Sequence, residues 1–175
     1  MEAPAVPPAR PLGPATTSPR KVLVVDDVPE ICRVMKLACE RLAQPKVDVT
    51  IVTNAEEAVQ LLTRAKFDLV VSDFRMPRAD GLRVLRAARC GNPRGFRWLM
   101  TGFNEVPAAP DEVRAAGLDA VIQKPIPTAL LFRLVEGTLS GNMVLVRRLR
   151  EEAEQLVYTN AIEPGAPASL RIAGA

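Results

Sequence analysis

Five short, mostly apolar runs recur along the chain, each followed within a few residues by a stretch of helical spacing. That alternation leaves few folds open. The runs are "VLVV", "VDVTIVT", "LVVS", "FRWLMT" and "AVIQ". They are rich in β-branched residues and read as strands, the most apolar of them buried on both faces. After the first comes "VPEICRVMKLACERLA", with Ile31, Val34, Met35, Ala38 and Leu42 at the spacing of one helix face. After the second comes "NAEEAVQLLTRA", where Thr53 and Glu56 are spaced as a capping box. The third leads to "GLRVLRAARC", closed by Gly91-Asn92-Pro93. A proline-broken loop, "GFNEVPAAP", precedes a short helix over Asp111–Ala116, and "TALLFRLVEGTL" is the fifth helix. Alternating strands and helices with short links predict a doubly wound, five-stranded parallel α/β sheet with right-handed crossovers. In such sheets the ligand site lies beyond the carboxyl ends of the strands.

The flanks read differently. Residues 1–19 carry Pro4, Pro7, Pro8, Pro11, Pro14 and Pro19 and lack apolar periodicity, which predicts a disordered or polyproline II-like tail. One ordered domain is expected over 20–140, a C-terminal helix over 141–159 and a flexible tail over 160–175. In that helix Val146, Leu149, Ala153 and Leu156 form an apolar stripe. The stripe suits packing in cis or pairing with a second copy as a homodimer. No run approaches the roughly 20 apolar residues of a membrane span. The N-terminus lacks the basic start and apolar block of a secretory signal. A cytoplasmic chain without a membrane partner is the expectation.

Composition removes whole classes of chemistry. There is no histidine, so catalytic triads, Cys–His pairs and imidazole-ligated metals are excluded. Cys32, Cys39 and Cys90 lack CxxC spacing and read as buried small hydrophobes in a reducing compartment. A formal net charge of +3 is too small to argue for direct nucleic-acid binding. Chemistry is left to carboxylates, lysine, arginine and hydroxyls.

Those groups sit where the strands end. The first strand runs into Asp26-Asp27, the third into Asp73, the fourth into Thr101 and the fifth into Lys124. Carboxylates crowded together take up protons unless a cation joins them. Hard oxygen donors without His or Cys point to Mg²⁺, which keeps several waters and favours a phosphoryl partner. A phosphoryl group on one carboxylate would satisfy the metal, Lys124 and Thr101 together.

"VVDD", "VSDFRMPRADG", "MTG" and "QKP", in this order on these elements, resemble the receiver domain of two-component response regulators, of the single-domain, chemotaxis-regulator-like kind. The resemblance covers about residues 20–140 and implies the flavodoxin-like (βα)5 fold. It implies that Asp73 is the phosphoacceptor, served by a sensor histidine kinase, a phosphotransfer protein or a small phosphodonor. Asp26 and Asp27 match the acidic pair that, with Asp73 and the backbone carbonyl of Arg75, holds Mg²⁺. Lys124 matches the lysine that pairs with phosphoryl oxygens. Thr101 matches the hydroxyl that moves onto the phosphoryl group, and the Lys124-Pro125 bond is often cis in this family. Output is expected by contact with a downstream protein or by onward transfer. Nothing after Gly141 has the length of a DNA-binding or enzyme domain. A scaffold working without phosphorylation and the receiver part of a larger transcriptional regulator are the alternatives.

Departures from the family pattern are equally legible. The aromatic residue usual three positions before the lysine is Val121 here. Arg75 and Phe103 occupy places that flank the attacking water, which implies a slowly hydrolysed phosphoryl group. Pro107 and Pro110 predict a short fourth helix. Arg75, Arg78, Arg83, Arg86, Arg89, Arg94 and Arg97 against Asp80 alone suggest either a basic patch or the solvated face of the third helix. Asp27 and Glu30 are spaced to cap the first helix. Two other sheets of this class fit poorly. An electron carrier needs a phosphate-cradling loop where "DDVP" stands, and an Asp-x-Asp phosphatase motif is broken by "DDVPE".

Overall fold

The computed structural model describes residues 18–42, 46–77, 79–102, 110–149 and 151. Its strands and helices alternate as the apolar runs require: β1 Arg20–Val25, α1 Pro29–Glu40, β2 Val47–Val52, α2 Ala55–Leu62, then β3 Leu69–Asp73. A two-residue ladder, β4 Arg75–Met76 and β5 Ala79–Asp80, leads into α3 Gly81–Gly91. After it come β6 Phe96–Thr101, α4 Pro110–Ala116, β7 Ala120–Gln123 and α5 Thr128–Leu139. A further helix, α6, covers Met143–Leu149. The main sheet has the order β2-β1-β3-β6-β7, parallel throughout.

Period-two alternation splits the strands between two cores. Val22, Val24, Leu69, Val71, Trp98 and Ile122 face α1, α5 and α6. Leu23, Val25, Val70, Leu99 and Val121 face α2 and α3. Covering both faces explains why the strands are apolar at consecutive positions. Each fully buried Val or Leu adds roughly 1.5–3 kcal/mol.

The sheet carries the same bracket twice at its amino end. Asp68 donates its N–H to the Lys21 carbonyl (2.7 Å) and accepts the Lys21 N–H on Oδ2 (2.8 Å), with Arg20 3.3 Å away. Asp119 does the same with Arg97, donating to its carbonyl (2.8 Å) and accepting its N–H (2.8 Å), the guanidinium 3.3 Å from Oδ2. In both cases an aspartate just before a strand clamps the start of the neighbouring one.

Several local expectations shift. The cap of α2 is Asn54, not Thr53: Asn54 Oδ1 accepts the Glu57 N–H at 2.8 Å, and Asn54 Nδ2 donates to Glu57 at 3.0 Å. The Asp27–Glu30 cap does not form. The N-cap of α1 is Val28, without a side-chain bond, and Asp26 takes the Val28 N–H instead. The core face of α1 is Cys32, Met35, Ala38 and Cys39, while Val34 is 43 % exposed. The two cysteines act as the apolar residues that set the phase of the helix. Cys90, in contrast, is exposed.

The arginine run is not one surface. Arg97 is buried in its pair with Asp119, Arg83 pairs with Glu56, and Arg89 donates to the carbonyls of Arg114 and Ala115 at the end of α4. There a cation meets the negative end of a helix just before Gly117, whose φ of 63° suits glycine.

After Gly141, α6 turns back at 119° to α5. Val146 and Leu149 are buried in the α1/α5 core, and Leu145 lies so close to Gly137 that a Cβ there would meet it at 2.3 Å. The described half of the apolar stripe therefore packs in cis, and Ala153 and Leu156 lie outside the described residues. So do residues 1–17 of the proline-rich segment, the tail over 160–175, Arg78, Phe103 and Pro107. No single described helix is long and apolar enough to cross a membrane.

Candidate functional site: an acidic pocket closed by a lysine

β1 and β3 are adjacent and in register, so their carboxyl ends deliver Asp26 and Asp73 to the same rim of the sheet. Both side chains are buried, Asp26 to 1 % and Asp73 to 5 % exposure. Lys124, at the end of β7, reaches over β6 to join them. Its Nζ lies 2.6 Å from Asp73 Oδ1 and 3.2 Å from Asp26 Oδ2. Lys124 also donates its N–H to the Thr101 carbonyl at 2.7 Å, which fixes its backbone at the rim. The peptide bond to Pro125 is cis.

Asp73 is held from behind. Phe74 donates to the Met100 carbonyl at 2.7 Å, and Gly81 donates to the Phe74 carbonyl at 2.8 Å. A Cβ on Gly81 would lie 2.1 Å from the Asp73 carbonyl oxygen, so α3 can begin this close to the end of β3 only with glycine. Gly81 reads from sequence as turn chemistry alone; its closer duty depends on a contact that no local pattern encodes. Asp26 is seated by the Val28 N–H (2.9 Å) and by the Cys32 thiol, which donates to its carbonyl at 3.4 Å. Cys32 was not anticipated near the site. Its only signal was a cysteine one turn into the helix after "VVDD".

The electrostatics follow from burial. Loss of water pushes the Asp73 carboxyl up; Lys124 pulls it back, and Asp26 and Asp27 add to the rise. Burial opposes the charge on Lys124, yet its bond to Asp73 and the charges of Asp26 and Asp73 outweigh it and hold the ammonium above its usual range.

Not every expected residue joins. Asp26, Asp73 and Lys124 are in contact; Thr101 ends β6 and accepts the Lys124 N–H on its carbonyl, with its hydroxyl buried and without a hydrogen-bond partner. Asp27 is exposed, and among the described residues no three His, Cys, Asp or Glu side chains are grouped to hold a metal. Instead the lysine occupies the space between the two buried carboxylates. The Arg75 guanidinium stands over the Phe74 ring, 6.0 Å from its centre, and its backbone belongs to the β4–β5 ladder. The donor chemistry nevertheless suits Mg²⁺, which takes one or two carboxylates and keeps waters for the rest.

A doubly wound parallel sheet whose carboxyl edge buries two aspartates under one lysine fits a module of phosphorylation-based signalling. Comparison with known proteins agrees: residues 22–136 match the response regulator receiver domain, and the chain belongs to that family. It is 30% identical over 146 residues to the response regulator protein PilR of Pseudomonas aeruginosa, covering 83% of this chain and 30% of PilR. It is 31% identical over 155 residues to a protein-glutamate methylesterase/protein-glutamine glutaminase of Oleidesulfovibrio alaskensis, covering 86% of this chain and 41% of that protein. The chain thus spans less than half the length of these relatives. In fold it is similar to a CheY-like receiver domain protein of Methanospirillum hungatei JF-1, with a TM-score of 0.59 at 22% identity over 75% of this chain and 98% of that one.

Proposed function

We propose that the chain is a phosphorylation-switched receiver that takes a phosphoryl group on Asp73 from a histidine kinase, a phosphotransfer protein or a small phosphodonor. The single observation that carries this reading is Lys124 Nζ set between Asp73 and Asp26 at the carboxyl edge of the sheet. In the reaction an Asp73 oxygen forms a bond to phosphorus while the bond from phosphorus to the donor atom breaks. The donor keeps the electron pair. Burial makes Asp73 a more basic carboxylate than an exposed one, and hence a better nucleophile. Lys124 then exchanges a carboxylate partner for a phosphoryl oxygen without leaving its place.

Asp26 and Asp73, with Asp27 and the Arg75 carbonyl at the rim, are the residues that would hold Mg²⁺. When bound, the ion neutralises charge on the transferring group. Thr101 supplies a hydroxyl to the accepted phosphoryl group. Arg75, two residues after the acceptor, shields it from water, so that Arg75→Asn shortens the lifetime of the phosphorylated form. The chain is an acceptor that assists its own phosphorylation and is not a turnover enzyme. The cytoplasm is the compartment this reading implies. Output passes to a downstream protein by contact or onward transfer.

Incubation with acetyl phosphate and Mg²⁺ followed by intact mass tests the reading. A gain of one phosphoryl group, abolished in Asp73→Ala, is the expected result. An unchanged parent mass would leave the unphosphorylated scaffold as the better account.

A further inference from the structure

Thr101 and Gln123 are register partners on the adjacent strands β6 and β7, so their side chains leave the sheet on the same side. By alternation that is the side of Leu99 and Val121, facing α2 and α3, whereas Asp73 and Lys124 fall on the opposite phase of their strands. Both residues carry a buried polar atom without a hydrogen-bond partner: the Thr101 hydroxyl oxygen and the Gln123 amide nitrogen. One is an unsatisfied donor. The other is a hydroxyl, which can both accept and donate. Buried polar atoms rarely stay unpaired, and an orphan in a native structure asks for an explanation. The two orphans do not bond each other in this structure, but they belong to directly paired residues on one face of the sheet, and a turn of the Gln123 side chain would bring its amide to the hydroxyl.

We infer that Gln123 is a positioning residue for the phosphoacceptor reaction, acting through Thr101. After that turn its amide N–H donates to the Thr101 hydroxyl oxygen and so directs the hydroxyl hydrogen toward the phosphoryl group on Asp73. The inference rests on the phosphoacceptor reading. A hydroxyl whose oxygen already accepts a hydrogen bond is a stronger donor through its own hydrogen, and bonds in a chain reinforce one another. Thr101 alone would be free to rotate. With Gln123 behind it, the hydroxyl presents one direction. Glutamine also does this without a charge, which next to Asp26, Asp73 and Lys124 would disturb the pocket.

Two measurements on the full chain test the inference. The first needs no phosphorylation: the side-chain amide resonances of Gln123 are followed by ¹⁵N NMR in the parent, Thr101→Val and Thr101→Ser. Loss of the hydroxyl should move them, and serine should bring them back; identical resonances in all three overturn the inference. The second is the rate of Asp73 phosphorylation by acetyl phosphate with Mg²⁺ in a double-mutant cycle. Gln123→Met should slow the parent about fivefold to tenfold, as expected for loss of one hydrogen bond. In the Thr101→Val background it should change nothing. A Gln123→Met chain that reacts at the parent rate, or losses that simply multiply, overturn the inference alone. A parent that takes no phosphoryl group overturns the acceptor reading and this inference with it.

Discussion

A Cβ built on Gly81 would stand 2.1 Å from the backbone carbonyl oxygen of Asp73. Backbone cannot yield the way a flexible side chain can, so a methyl group here must push the end of β3 or the start of α3. Gly81→Ala is expected to cost about 1–3 kcal/mol, the range for overpacking. It should also slow phosphorylation by acetyl phosphate, because the displaced atom belongs to Asp73, the acceptor proposed above. Chemical denaturation and intact mass check the two effects. A stable Gly81→Ala chain reacting at the parent rate would show that the strand end tolerates the shift.

How much of this was legible beforehand depends on the range of each interaction. Asp26, Asp73, Thr101 and Lys124 could be singled out because a parallel sheet brings strand ends to one edge, and that rule needs only the order of elements. The exposure of Asp27 could not be read, since an Asp-Asp pair does not say which member turns inward. The face of α1 read from spacing holds at Ile31, Met35, Ala38 and Leu42. It fails at Val34, which is apolar in type yet ends at the surface while Cys32 and Cys39 fill the core. Arg97 looked like one more arginine in a basic run. Its partner Asp119 lies across a helix and a loop, beyond any local pattern. The cap of α2 moved by a single residue, from Thr53 to Asn54, because both have capping side chains and acidic residues three positions on.

The Asp119 bracket should matter for stability and not for chemistry. Asp119 meets both the Arg97 N–H and its guanidinium, in side chains only 2 % and 7 % exposed. Asp119→Ala strips a buried cation of a carboxylate, which typically costs about 3–5 kcal/mol. Asp119→Asn keeps an oxygen for the backbone bond and should cost less. Urea midpoints should fall in the order parent, Asn, Ala. Phosphorylation rates well below the midpoints should stay equal, since the bracket sits at the opposite end of the strand from Thr101.

Thiol reactivity should separate the cysteines. Burial, reinforced by Glu40, pushes the Cys39 thiol up to about 12, and burial with Asp26 pushes Cys32 up to about 11. Cys90 is exposed. At pH 8 a disulfide reagent should label Cys90 quickly and the other two only after denaturation. The sign for stability follows: folding favours the neutral Cys39 thiol, so its contribution is complete below the unfolded value of 9.0 and is lost as pH rises toward about 12. Cys39→Ala should flatten that alkaline limb. Rapid labelling of Cys39 at pH 8 would contradict the burial of this helix face.

The buried carboxylates are a burden to the fold. Asp73 is 5 % exposed beside Asp26, and only Lys124 offsets the two charges among the described residues in direct contact with them. Removing the Asp73 charge should therefore stabilise the metal-free chain at neutral pH. Asp73→Asn is expected to melt a few degrees above the parent. A cation that joins the carboxylates relieves the same repulsion, so Mg²⁺ should raise the melting point of the parent and do less for Asp73→Asn. Lys124→Met should act in the opposite direction, leaving two buried carboxylates facing each other and making the chain more dependent on Mg²⁺. Melting curves of the three chains with Mg²⁺ and with a chelator decide this. If the parent and Asp73→Asn respond identically to the ion, Asp73 is not one of its ligands, and the acidic pocket owes its lysine to folding alone.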